Sequence, residues 1–315
     1  MKHNILSFVM LAAVSKMQAQ QQLKYGDFDS WLTRDVKESP IIGGKKQTLY
    51  EIAPNMKWNG KKAYVNQGGS PWATSNVMAK VAGIVKTNSS VYRDDHAGGH
   101  CAKLVTHTVG IKVLGLININ VLAAGSVYLG EMVEPITSSS NPMSKLNYGI
   151  PFTEKPKAVQ FDYKVQLSGK PDRIRQTGFS SVKTIPGADM PMAVCLLQKR
   201  WEDEKGNIYA RRIGTLVQRF GKNTDWVHGA TFEIHYGDIS QEPFYKSYMH
   251  LFNGGDDQKY AKNSKGKMVP VKEVEWGTAD ETPTHLCLQF ASSYGGAYIG
   301  ADGTTLWVDN VKLIY

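Results

Sequence analysis

The sequence predicts an all-β chain folded as an antiparallel β-sandwich of the jelly-roll type, and three observations carry that expectation. Short runs with a period of two recur along the chain, turn residues separate them, and sustained apolar spacing of three and four is scarce. Ala158–Leu167 alternates most cleanly, with Val159, Phe161, Tyr163, Val165 and Leu167 on one face. Ala193–Trp201 and Ile208–Val217 flank Glu202–Asn207, which reads as a hairpin with Gly206 and Asn207 at its tip. Phe232, Ile234 and Tyr236 alternate next, and His285–Phe290 and Thr305–Tyr315 close the chain as strands. Strands at this density, with Gly, Pro, Asn and Asp between them, belong to sandwiches and jelly rolls. Val109–Leu129 is apolar, but Lys112, Asn118 and Asn120 interrupt it, so two buried strands joined by a glycine-containing turn fit better than a membrane span. Thr137–Pro142 reads as a surface loop within one large sandwich over residues 23–315, rather than as a linker between two domains.

The first residues carry a different pattern. Lys2 and His3 precede the apolar run Ile5–Val14, and Met17, Gln18 and Ala19 follow it. A basic start, a short apolar segment and a small residue at its exit predict a signal peptide over residues 1–19 and an exported product, in the periplasm, on the cell surface or secreted. The run is shorter than the ~20 apolar residues of a membrane-spanning helix. No cysteine follows it, so the mature chain is expected to lack a lipid anchor and a transmembrane segment.

The formal charge is +9, yet the basic residues are dispersed. Lys45–Lys46, Lys61–Lys62 and Lys262–Lys267 are loop groups beside turn residues, which argues against nucleic acid as a partner. The three cysteines, Cys101, Cys195 and Cys287, are an odd number, which rules out a complete disulfide framework. Each sits in a strand-like run as a small buried hydrophobe would; one bridge between two of them stays open.

Several stretches, in order, resemble the putative carbohydrate metabolism domain family of exported bacterial proteins. They are Gly26–Trp31, Ser70–Asn76, Gly99–Thr106, Ala123–Gly130, Gly149–Pro156, and Ser292–Tyr298 with Gly303–Asp309. The resemblance implies a jelly roll similar to carbohydrate-binding modules and to sandwich-fold glycosidases, with a polysaccharide or oligosaccharide as partner. It supplies no catalytic pair. The end motifs, with Asp29 and Asp309, look like the terminal strands of sandwich modules in which an acidic residue from each end holds a structural Ca²⁺. The competing reading has Asp309 capping a turn through its own backbone contacts.

Other residues bear on the chemistry directly. Trp72, in the loop Gly68–Trp72, is a candidate stacking platform for a sugar ring, with Asn76 as a hydrogen-bonding partner; Tyr294 and Tyr298 lie in a second glycine-rich stretch. The alternative for Trp72 is a plug at the end of the core. Trp31, Trp201 and Trp307 fall in strand-like contexts, as core or rim. A glycosidase needs two carboxyl groups ~5–5.5 or ~6.5–9.5 Å apart. Glu202 and Glu204 flank the hairpin tip, Glu131 and Glu134 have the wrong parity for a strand pair, and Asp162, Glu233 and Asp238 stand on separate strands. The spacing His96–His100 would align two metal ligands on a helix, but Gly98 and Gly99 make the segment a loop. Three functions remain in view: a glycan-binding protein of a polysaccharide-utilisation system, a glycoside hydrolase, and an adhesin or structural surface protein.

Overall fold

The computed structural model describes residues 19–315, apart from 82, 114–116, 138–140, 179–180 and 256–257. The leader expected at the N-terminus lies, except for Ala19, outside the described residues. The described chain is built of strands, with three short 3-10 turns and no α-helix. Among the described residues no helix is long and apolar enough to cross a membrane.

Two large sheets face each other. The front sheet has six strands: Thr224–Glu233, Ala158–Gln166, Thr305–Ile314, Gly99–Val105 and Val91–His96 in spatial order, with Gln20–Gln22 added along Thr305–Ile314. Every pairing in it is antiparallel. The back sheet is centred on Met192–Glu202, between His285–Ala291 and Ile208–Arg219. Alternation decides what lies between them. Val159, Phe161 and Val165 point inward from one strand, and Leu306 and Val308 from its neighbour, to meet Cys195, Leu197, Leu288 and Phe290 of the back sheet. Phe161 sits edge-on to Phe290 with ring centroids 4.8 Å apart. The fold is the predicted all-β sandwich.

The 203–207 turn joins its two long strands as a hairpin, with Gly206 at φ 85°. His107–Val113 and Ile117–Ala123 also pair as a hairpin whose described residues are mixed: Leu122 is buried, Val109 and Val121 are half-buried, and Thr108 and Gly110 are exposed, while the end of the apolar run lies in the buried strand Ser126–Met132. All three cysteines are buried and unbridged. A small sheet, Trp31–Lys37 with Lys46–Ile52 and Lys57–Trp58, packs beside the sandwich. Arg34, from its middle strand, reaches Glu51 and Glu134 as a buried ion cluster.

Candidate functional site

Because the inward residues of the front sheet fill the core, the alternate ones form its outer face. Register places Lys164, Trp307, Lys103 and Tyr92 in one row across four strands. Gln166, Thr305 and Val105 form the next row, and Asp162 stands opposite Asp309 on the other side.

Asp162 lies where the register slips on both sides. Against Thr305–Ile314 the slip falls between Gln160 and Asp162, and against Thr224–Glu233 it falls between Phe161 and Tyr163. Each slip has its left-handed residue, Asn310 at φ 54° and Gly229 at φ 59°. Bulges of this kind re-aim side chains, and they concentrate beside functional sites. Here the freed groups converge on Asp162. Gly229 N–H donates to Oδ1 at 2.6 Å, Asn310 Nδ2 donates to Oδ2 at 3.0 Å, and His228 Nδ1 lies 3.3 Å from Oδ2. Burial alone would raise this carboxyl, but these contacts outweigh it and hold the group below the ordinary aspartate range.

Asp309 has the opposite balance. Its Oδ1 accepts the Asn310 N–H at 2.7 Å, and its Oδ2 lies 2.6 Å from His96 Nδ1. Burial pushes it up to about 6 despite the imidazole. His96 ends its strand just before Ala97 and Gly98, both at positive φ (48° and 83°), the geometry of a tight two-residue hairpin turn. Its ring lies 3.6 Å from Trp226 at an interplanar angle of 17°, and 5.4 Å from the nearly parallel ring of His228. His96 Nε2 is buried, and no group among the described residues hydrogen-bonds to it.

The other half of this face is a groove of about 540 Å³, bounded by Tyr92, Arg93, Asp94, Lys103, Gln166 and Trp307, among others. Trp307 Nε1 donates to Asp94 at 2.9 Å. The ammonium groups of Lys103 and Lys164 stand 5.3 and 5.2 Å from the Trp307 ring centroid. Burial works to raise Asp94, but the Trp307 and Asp95 N–H groups and Lys103 hold it below the ordinary range. An indole set among cations, a carboxylate and an amide can contact the apolar face of a sugar while those neighbours hydrogen-bond its hydroxyls.

The residues singled out from the sequence are placed differently. Trp72 is fully buried, edge-on to Phe28 at 5.2 Å, with Nε1 donating to Lys24 O. It opens a strand of the back sheet and faces the core, so the expected solvent-facing platform is not formed there. Asn76 is equally buried: its amide donates to Tyr50 O and Val91 O and accepts the Ser90 and Val91 N–H groups, which leaves nothing for a sugar. Tyr294 is half-buried between the guanidinium groups of Arg173 and Arg219, at 4.3 and 3.9 Å. Tyr298, half-buried at φ 65°, has its hydroxyl raised by burial. Both tyrosines belong to the chain leading into the small sheet of Ile299–Gly300 and Arg173–Arg175, not to the front-sheet rows. Asp29 and Asp309 both address the Val91–His96/Gly99–Val105 hairpin, but on different groups. Exposed Asp29 accepts the His100 N–H at 2.7 Å, whereas buried Asp309 holds His96. The fit explains Gly99, where a Cβ would lie 2.1 Å from Asp29 Oδ1.

Of the scattered carboxylates, Asp162 and Asp309 are brought together. Glu131 and Glu202 are taken by Lys262 and Ser264 on the surface, and Glu134 by Arg34 in the interior. Trp226, His228 and the outward role of Trp307 escaped the sequence reading, and His96 entered it only as a partner for His100. The expected loop over residues 96–100 shrinks to a turn at Ala97–Gly98, with His96 and His100 in the two paired strands, and His96 finds its partners on distant strands. The signal was parity: Asp162 and Lys164 stand between inward-facing Phe161, Tyr163 and Val165, and His228–Gly229 marks the bulge on the neighbouring strand.

Residues 27–178 match the family described as putative carbohydrate metabolism domain. That segment contains His96 and Asp162, while Trp226, His228, Trp307 and Asp309 lie beyond it. No curated protein matches the chain. Solved structures similar to it include a putative glycoside hydrolase from Bacteroides thetaiotaomicron, 19% identical, with a TM-score of 0.46 over 89% of this chain and 70% of that one. Another is a putative glycoside hydrolase from Bacteroides vulgatus, 12% identical, with a TM-score of 0.42 over 94% of this chain and 95% of that one. The family match, over residues 27–178, spans just under half of the chain.

Proposed function

We propose that this is an exported glycan-binding protein, working outside the cytoplasm, which holds a polysaccharide or oligosaccharide along the outer face of the front sheet. The supporting observation is the groove beside Trp307, where an aromatic ring, Tyr92, Arg93, Asp94, Lys103 and Gln166 share one solvent-facing surface. The leader-like N-terminus and the carbohydrate-metabolism family favour the same reading. The groove's lysines suit glycans bearing carboxylate or sulfate groups, whose charge they would meet directly. Screening on a glycan array, with Trp307→Ala beside the wild type, tests the proposal. Loss of one aromatic from the centre of a site costs ~1–3 kcal/mol, so affinity should fall about five- to hundredfold. An unchanged affinity for every bound glycan rejects this groove as the site.

A second reading, glycoside hydrolysis, is favoured by one observation: Asp162 and Asp309 are cross-strand partners on that same face. Directly opposed residues hold their Cβ atoms on the order of 5 Å apart, which brings two carboxyl groups within reach of the close pairing that retaining glycosidases use. Release of reducing sugar by the wild type and its loss in Asp162→Asn would establish this reading over simple binding.

A further inference from the structure

We infer that His96 Nε2, His228 and Asp162 form a binding site for one divalent transition-metal ion of the zinc class, with Asp309 orienting His96. The three side chains come from three strands, and their ligand atoms all lie within 4.8 Å of one another.

Three observations converge on an ion. The first is the orphaned nitrogen. The His96 side chain is 5% exposed, and its Nε2 is buried with no partner among the described residues. Such a group destabilises a fold unless something occupies it. The ring is held for that role: Trp226 packs on its face, and Asp309 Oδ2 accepts from Nδ1 at 2.6 Å. A carboxylate on one imidazole nitrogen leaves the lone pair on the other, the arrangement behind most metal-bound histidines.

The second observation is the spacing. His228 Nδ1 and Asp162 Oδ2 are 3.3 Å apart, long for a hydrogen bond between charged partners. Two ligands on a tetrahedral ion with bonds of ~2.0–2.2 Å stand about 3.3–3.6 Å apart. The His228 side chain is 63% exposed, so it can close the remaining distance at little cost to packing.

The third is the donor set. Two imidazoles and one carboxylate suit zinc and its neighbours, whereas calcium takes an all-oxygen shell. Asn310 Nδ2 and Gly229 N–H, both on Asp162, fix the carboxylate as a supporting shell would. Three protein ligands leave a coordination position for water or a ligand oxygen. The site shares the sheet face with the Trp307 groove, but the inference does not depend on glycan binding.

The full chain, stripped with chelator and dialysed, should be titrated calorimetrically with Zn²⁺ alone, then with Co²⁺ and Ca²⁺. The expected result is one equivalent of Zn²⁺, a Zn²⁺-dependent rise in melting temperature, and the intense visible absorption of four-coordinate cobalt(II). His228→Ala, at an exposed position, should keep the fold and weaken Zn²⁺ binding more than tenfold. Asp309→Asn should weaken it about ten- to hundredfold, as loss of an orienting carboxylate does. His100→Ala, on the same hairpin but outside the cluster, should bind as the wild type does. The inference fails if the wild type takes up no stoichiometric Zn²⁺, if His228→Ala binds normally, if His100→Ala abolishes binding, or if only Ca²⁺ binds.

Discussion

Two buried polar clusters in this molecule contain similar groups and are finished in opposite ways. In the first, Arg34 donates to Glu51 from Nε and Nη2 and to Glu134 from Nη1 and Nη2, at 2.6–3.1 Å. Thr74 completes Glu51, and the backbone N–H groups of Tyr64 and Met78 complete Glu134. Two acids share one cation there, and burial pushes Glu51 up to about 7. In the second cluster, Asp309 and Asp162 are well supplied with donors, but His96 keeps a bare nitrogen in the interior. In the first network every charged group is paired, and it joins the small sheet to the sandwich. The second is open, and the opening lies on the face that carries the groove. Polar burial alone therefore does not mark a site; here the bare nitrogen is accompanied by a second imidazole and a carboxylate within reach.

That contrast can be broken by substitution. Arg34→Met should have the largest effect, because it leaves two carboxylates buried without their cation. About 3–5 kcal/mol of unfolding free energy should be lost, measured by denaturant titration. The paired change His96→Leu with Asp309→Leu should cost about 1 kcal/mol or less, since both polar partners are replaced by apolar groups together. Equal losses from the two experiments would erase the distinction between the paired and the open cluster.

A third polar group sharpens the comparison from the back sheet. His285 is lowered to about 4 by burial and by the charge of Arg200, and its Nδ1 lies 2.9 Å from Thr284 Oγ1. The unfolded imidazole titrates near ~6.5, so the unfolded state takes up the proton first as the solution is acidified. This contribution to stability is complete above pH ~6.5 and is lost as the pH falls toward 4. The melting temperature of the wild type should drop more between pH 7 and pH 5 than that of His285→Gln, by about a few degrees at most. Identical slopes would remove His285 from the acid response.

The sandwich was legible because alternation is a local property. Val159, Phe161, Val165 and Phe232 announce their strands without knowledge of any partner. The hairpin at 203–207 was legible for the same reason, its turn being written into the adjoining residues. The site was not, because its members are joined only by topology: His96 and Asp309 are 213 residues apart in sequence and 2.6 Å apart in space. Trp72 misled for a related reason. Its glycine-rich approach reads as an exposed loop, but the strand that starts at Trp72 pairs with Ser126–Met132 and carries the ring into the core. The ion cluster around Arg34 was invisible too, since its partners come from segments with no shared local pattern.

The bulge at Asn310 has one more effect, on the reading frame of its strand. Leu306 and Val308 point into the sandwich, and so do Val311 and Leu313, although the two pairs differ in parity. The extra residue between them corrects the phase. Without it, Val311 and Leu313 would turn to solvent and Lys312 would turn into the core. The residue that positions the Asp162 carboxylate is thus also the one that keeps the end of the last strand in step, so a single-residue deletion there would undo the core as well as the site.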